Sequence, residues 1–159
     1  IIIVTFAHYN THLILCIIKN VVAMEKEVIF EHPRLTLTYY PMESAILETW
    51  NGFTEFELFA ELLDKTIKLM VEKGAKNLIL DVREHKGLNP KGNEHGAKVC
   101  LEHAKNHGKM KHAIVVPSYI FSQMSVENFE KNIGKEKGDE LVVNKHFKSV
   151  EDALEWLRG

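Results

Sequence analysis

The apolar positions of this chain change period several times, and each change marks an element. Over 35–40, Leu35, Leu37 and Tyr39 alternate with Thr36, Thr38 and Tyr40, the period of a half-buried strand. Two further β-like runs, 28–32 and 45–50, flank it. His32-Pro33-Arg34 and Pro41-Met42-Glu43-Ser44 separate the three, each carrying a turn-forming Pro. An antiparallel meander follows. The period then becomes helical: Phe56, Phe59, Ala60, Leu63, Ile67, Met70 and Val71 trace one stripe. Thr54-Glu55-Phe56-Glu57 reads as a capping box, Phe53 is placed to staple onto Leu58, and Gly74 supplies the stop.

The next stretch, Asn77-Leu78-Ile79-Leu80-Asp81-Val82-Arg83-Glu84, breaks abruptly from aliphatic into acid, base and acid. A short apolar run after a Gly-terminated helix predicts a buried strand over 78–82, in a parallel sheet covered on both faces. Sites in such sheets collect just beyond the carboxyl ends of the strands. The break at Asp81 is therefore where function is expected.

Asn89-Pro90 places a capping residue before a Pro at the first helical position. The helix it opens runs to about His107, buries Ala97, Leu101 and Ala104, and stops at Gly108. A second buried strand over 113–117 completes a β-α-β unit with a right-handed crossover. A short helix over 125–133 ends at Gly134, 141–143 reads as a last strand, and Ser149-Val150-Glu151-Asp152 caps a final helix burying Val150, Ala153, Leu154 and Leu157. The fold expected is α/β: one domain over 24–159, a mixed sheet with antiparallel N-terminal strands, a parallel centre and about four helices.

Composition narrows the function classes. A chain of 159 residues can bury a real core without staples. A formal net charge of -2, with both signs spread along the chain, argues against nucleic acid or an anionic membrane surface as a partner held by bulk charge. Two cysteines, Cys16 and Cys100, make no disulfide framework, and a reducing cytosol fits best.

Residues 1–23 contain no acid and a single base, Lys19. Val21-Val22-Ala23 resembles a signal-peptide cleavage site, but a basic n-region is lacking and His8, Asn10 and His12 interrupt the apolar run. The same interruptions leave it short of a membrane span. The segment reads as translated sequence upstream of a true start at Met24, or as the tail of an element the pattern does not reveal. Deleting residues 1–23 is accordingly expected to leave the thermal midpoint unchanged; a large fall on calorimetry would contradict this.

The order of elements resembles the STAS domain family, the anti-sigma-factor antagonist fold, and within it the small stand-alone bacterial proteins. The residues that carry the resemblance are Glu48-Thr49-Trp50-Asn51-Gly52-Phe53-Thr54 entering the long helix, Asn77-Leu78-Ile79-Leu80-Asp81-Val82-Arg83, and Ala113-Ile114-Val115-Val116-Pro117 with Ile120-Phe121. The closing Phe147-Lys148-Ser149-Val150-Glu151-Asp152-Ala153-Leu154-Glu155-Trp156-Leu157 completes them. The resemblance implies a non-enzymatic regulatory module with a protein partner. Classical members carry an Asp-Ser-Ser/Ala-Gly turn whose Ser is phosphorylated. Here residues 84–93 contain no Ser or Thr, so that switch is not expected.

Five sets of side chains invite a chemical reading. Asp81 and Arg83 leave the strand on one side and can face a partner jointly, with Glu84 and His85 beyond them. An ion pair closing a buried strand is the more ordinary alternative. His103 and His107 share a helix face as metal pairs do, but no third ligand is fixed by spacing; a solvated face is preferred, and no metal or cofactor is expected. Ser118, Ser122 and Ser125 follow a strand and can bind an anion at a helix N-terminus, with simple capping by Ser125 as the alternative. Trp50 is either core or an amphipathic lid on a small pocket, and Tyr39 and Tyr40 are further candidates for ligand contact. The glycines around Gly87 and Gly92 match no phosphate loop, and no Gly-x-Ser-x-Gly elbow exists. The expectation is a non-enzymatic cytosolic protein-interaction module acting through the surface around 81–88. A small-molecule or lipid carrier is second, and a hydrolase or metal enzyme uniting Asp81, Ser118 and a histidine third.

Overall fold

The computed structural model describes residues 26–87, 90–115 and 140–159. Six strands lie side by side in sequence order: β1 (Glu27–His32), β2 (Leu35–Tyr40), β3 (Ala45–Gly52), β4 (Asn77–His85), β5 (Met110–Val115) and β6 (Val142–Phe147). β1–β3 pair antiparallel; β3–β4, β4–β5 and β5–β6 pair parallel. Three helices accompany them among the described residues: α1 (Phe56–Lys73), α2 (Pro90–His107) and α3 (Val150–Arg158). The mixed α/β sheet is thus as expected. The helix expected over 125–133 lies outside the described residues.

Period-2 alternation divides the sheet into two packed faces. Leu35, Leu37, Ile46, Trp50, Leu78, Val82 and Ile114 pack against Phe59, Leu62, Leu63 and Met70 of α1 and Ala97, Cys100 and Ala104 of α2. Ala45, Leu47, Ile79, Ala113 and Val115 point the other way, onto Ala153, Leu154 and Leu157 of α3. A buried residue of this size contributes about 1.5–3 kcal/mol by leaving water, so both layers matter to the fold.

Two features of α1 differ from the pattern the sequence predicts. The buried face of α1 includes Leu62, Thr66 and Leu69, while Val71 is 51% exposed and Phe56 only half-buried. Thr66 sits at the helix interface because its hydroxyl donates to Leu62 O at 3.3 Å, which removes the cost of burying it. The capping box does not form: the N-cap is Glu55, without a side-chain cap bond, Thr54 is buried, and Phe53 is exposed. At the other end Gly74, at φ 64°, donates to Val71 O while Ala75 donates to Met70 O, the paired bonds of a glycine C-cap. α3 begins as expected, with Ser149 Oγ accepting from Asp152 N at 3.1 Å. Its far end is tied to the β2–β3 turn, where Arg158 Nε donates to the buried Glu43 at 2.6 Å.

Candidate functional site at the carboxyl ends of the central strands

β4 does not end at Asp81. It continues through the charged triplet to His85, and the reason lies in its pairing with β3. Thr49 pairs with Asp81 but Asn51 with Glu84, so β4 carries one extra residue at Val82–Arg83. Such a bulge re-aims the side chains that follow it. Val82 remains in the core below α1 and α2. Beyond the bulge, His85 also turns under the helices, its ring 5.8 Å from that of Trp50.

Asp81 and Arg83 form a closed ion pair. Arg83 Nε donates to Asp81 Oδ1 at 2.9 Å, Nη2 to Oδ2 at 2.7 Å, and the Arg83 backbone N–H to Oδ1 at 3.2 Å. The Asp81 side chain is 7% exposed and that of Arg83 43%. The bonds to Asp81 raise the Arg83 pKa, with Glu151 and Glu84 adding to the same effect. The two residues therefore leave one side of the strand together, as their alternation implies, and the ordinary ion-pair account describes Asp81 well. Arg83 keeps nearly half its surface for solvent while its guanidinium is fixed.

The rim beside this pair is mixed in character. Glu84 and Lys86 are exposed, and Lys86 N donates to Gly52 O at 3.0 Å. Gly52 adopts φ 66°, a left-handed backbone conformation that side chains rarely adopt, so the crossing favours glycine. The next residue, Phe53, is a large aromatic left 44% exposed.

On the other face the same strand ends bury a polar cluster that was not anticipated. Trp50 is only 2% exposed, which makes it core, and its ring packs 5.2 Å from Phe59. Its Nε1 donates to Glu48 Oε2 at 3.2 Å. Glu48, also 2% exposed, has no partner for Oε1 among the described residues. Burial pushes its carboxyl above the usual range, with the Thr66 hydroxyl and Trp50 indole acting against that shift. Burial and the neighbouring Glu48 push the Cys100 thiol up to about 12, so it is no nucleophile near neutral pH. Burial lowers His85 to about 4, which keeps it neutral. The missed signal was legible: Glu48 shares its strand face with Ile46 and Trp50, an acid on an apolar face.

The remaining candidates scatter. Trp50 and His85 lie on one face of the sheet, Asp81 and Arg83 on the other, and Glu84 on the rim; Ser118 lies outside the described residues. Tyr39 donates to Lys73 O at 3.3 Å, and Tyr40 packs on the opposite layer by α3. The helix face carrying His103 and His107 is not simply solvated, since His103 is buried. A cleft of about 300 Å³ between β1 and α1 is lined by Phe30 and Leu62 with Glu61, Asp64, Lys65 and Lys68. No helix of the described residues is long and apolar enough to cross a membrane.

The chain matches no family model and no curated protein. Among solved structures, an NMR structure of the protein TM1081 is similar at 15% sequence identity and a TM-score of 0.42. That match covers 83% of this chain and 96% of that one.

Proposed function

We propose that this protein is a non-enzymatic, cytosolic protein-interaction module of STAS-like type, binding its partner through the carboxyl rim of β3 and β4. The observation that carries this reading is Phe53, a large aromatic left exposed one residue beyond the end of β3, where the neighbouring β4 pairs Glu84 with Asn51 and Lys86 N donates to Gly52 O. Aromatic and Arg side chains dominate the binding energy of protein interfaces. An Arg already held by its neighbour loses little rotamer freedom on docking. The serine-free segment after β4 fits constitutive or competitively controlled binding better than a phosphate switch. The carrier reading ranks second, because four of the six residues lining the 300 Å³ cleft are charged and suit an apolar ligand poorly.

Charge reversal at Arg83 is a poor test, since it would strand the buried Asp81. Phe53→Ser and Glu84→Lys change only the rim. In quantitative capture from cell lysate, each is expected to lower recovery of a specific partner by about tenfold, the size of a single interface anchor, with the melting temperature unchanged. Equal capture by wild type and both variants would overturn the proposal.

A further inference from the structure

β1 is one edge of the sheet, and among the described residues no strand pairs with its outer side. A free edge presents unpaired backbone N–H and C=O groups, a template for a further strand. The middle of β1 is apolar: Val28 is 55% exposed, and Ile29 and Phe30 are half-buried. The bulge between Val28 and Phe30 turns both Ile29 and Phe30 toward the layer of α1. There Phe30 and Leu62 are the apolar lining of the 300 Å³ cleft, and charges on the flank of α1 make up the rest.

Those charges run in one order along the helix: Glu61 and Asp64 come first, Lys65 and Lys68 follow. Lys65 Nζ lies 5.7 Å from the centroid of the Phe30 ring. Neither Glu61 nor Asp64 has an ion-pair partner among the described residues. Half a turn about an axis between Asp64 and Lys65 sets Glu61 against Lys68 and Asp64 against Lys65. The flank is thus complementary to itself, as a two-fold interface between identical chains requires. Because Lys65 lies over Phe30, the same axis passes near the middle of β1, where two copies of the strand can pair antiparallel. We infer that this face docks a second copy of the chain, β1 against β1, with the acidic half of each α1 flank meeting the basic half of the other. The Phe30 rings of both copies are then shielded beneath the paired charges. None of the rim residues of β3 and β4 lines this face. One edge strand and one helix flank make a small interface, so the dimer depends on concentration.

The test is analytical ultracentrifugation of the full chain from about 1 µM to about 200 µM, a range that brackets a weak interface of this size. Wild type is expected to pass from monomer to dimer, with hydrogen exchange over 27–32 slowing as the dimer forms. None of the four charged residues is buried, so their charges can be reversed without opening the core. Glu61→Lys/Asp64→Lys makes the flank wholly basic, and Lys65→Glu/Lys68→Glu makes it wholly acidic. Each variant alone should dimerise at least about tenfold more weakly than wild type, and an equimolar mixture of the two should recover the dimer. Recovery in the mixture also shows that both variants are folded. The inference is overturned if wild type stays monomeric throughout that range, or if neither reversal weakens the dimer. It is equally overturned if the mixture recovers nothing, or if exchange in β1 does not change with concentration. A monomeric wild type beside a dimeric chain lacking residues 1–23 would also overturn it, by assigning the edge to the chain's own amino-terminal segment.

Discussion

Lowering the pH from about 6.5 to about 4 is expected to remove about 3 kcal/mol of folding stability through His112 alone. This ring is wholly buried on β5, and its Nδ1 lies 2.8 Å from Asn144 Oδ1 on β6. Burial, with a smaller contribution from His146, lowers it from 6.5 to about 4 against the opposing effect of Asn144. The unfolded chain takes up a proton as the pH drops below 6.5, whereas the folded chain does so only near 4. Between those values the unfolded state binds more protons, so stability is present above 6.5 and lost on acidification. At about 1.4 kcal/mol per pH unit, that window gives the figure above. His85, lowered to about 4 by the same cause, adds to the loss. Urea unfolding at stepped pH checks this: His112→Gln should be less stable than wild type at pH 7 and show a flatter acid limb. Parallel limbs for the two proteins would contradict it.

Glu48→Gln is expected to stabilise the protein by about 1–3 kcal/mol at mildly alkaline pH, since holding a proton on a buried carboxyl there costs free energy that a neutral isostere does not. The folded carboxyl keeps its proton above the ordinary range, while the unfolded chain releases it near 4.5. Stability is therefore full at low pH and lost as the pH rises through the raised folded value, the reverse of the histidines. Gln retains the shape and an oxygen to accept from Trp50 Nε1. The stability gap between variant and wild type should widen from pH 5 to pH 8. A constant gap, or a variant that is less stable throughout, would contradict the buried-acid account.

Most of the scaffold was legible because each element repeats one simple signal. The alternation at Leu35–Tyr40, the glycine stops at Gly74 and Gly108 and the Ser149 cap all correspond to observed elements. The site was less legible because its geometry depends on pairing between strands. That Asp81 and Arg83 share a side follows from their spacing, but the extra residue in β4 exists only relative to β3. The strand runs on to His85 because β3 continues beside it to Gly52, and the extra residue turns the His85 ring beneath the helices. Thr54 failed as a cap because burial drew it inward, a tertiary effect that no local pattern encodes. The buried face of α1 is wider than the stripe its periodicity predicts, since it takes in Leu62 and Leu69, as well as Thr66, whose hydroxyl is satisfied by its own helix. His103, read as solvated, is covered because α2 packs its last turn against the end of α1.

The central claim is that the rim of β3 and β4 is where a partner docks, and a photo-crosslinking side chain at position 53 tests it most directly. Val71 is the control position, because it is comparably exposed but sits on α1, outside the rim. Irradiation of the full chain in lysate should give one dominant protein adduct from position 53, absent from position 71 and diminished by Glu84→Lys. No adduct at position 53, or the same adducts from both positions, would contradict the account.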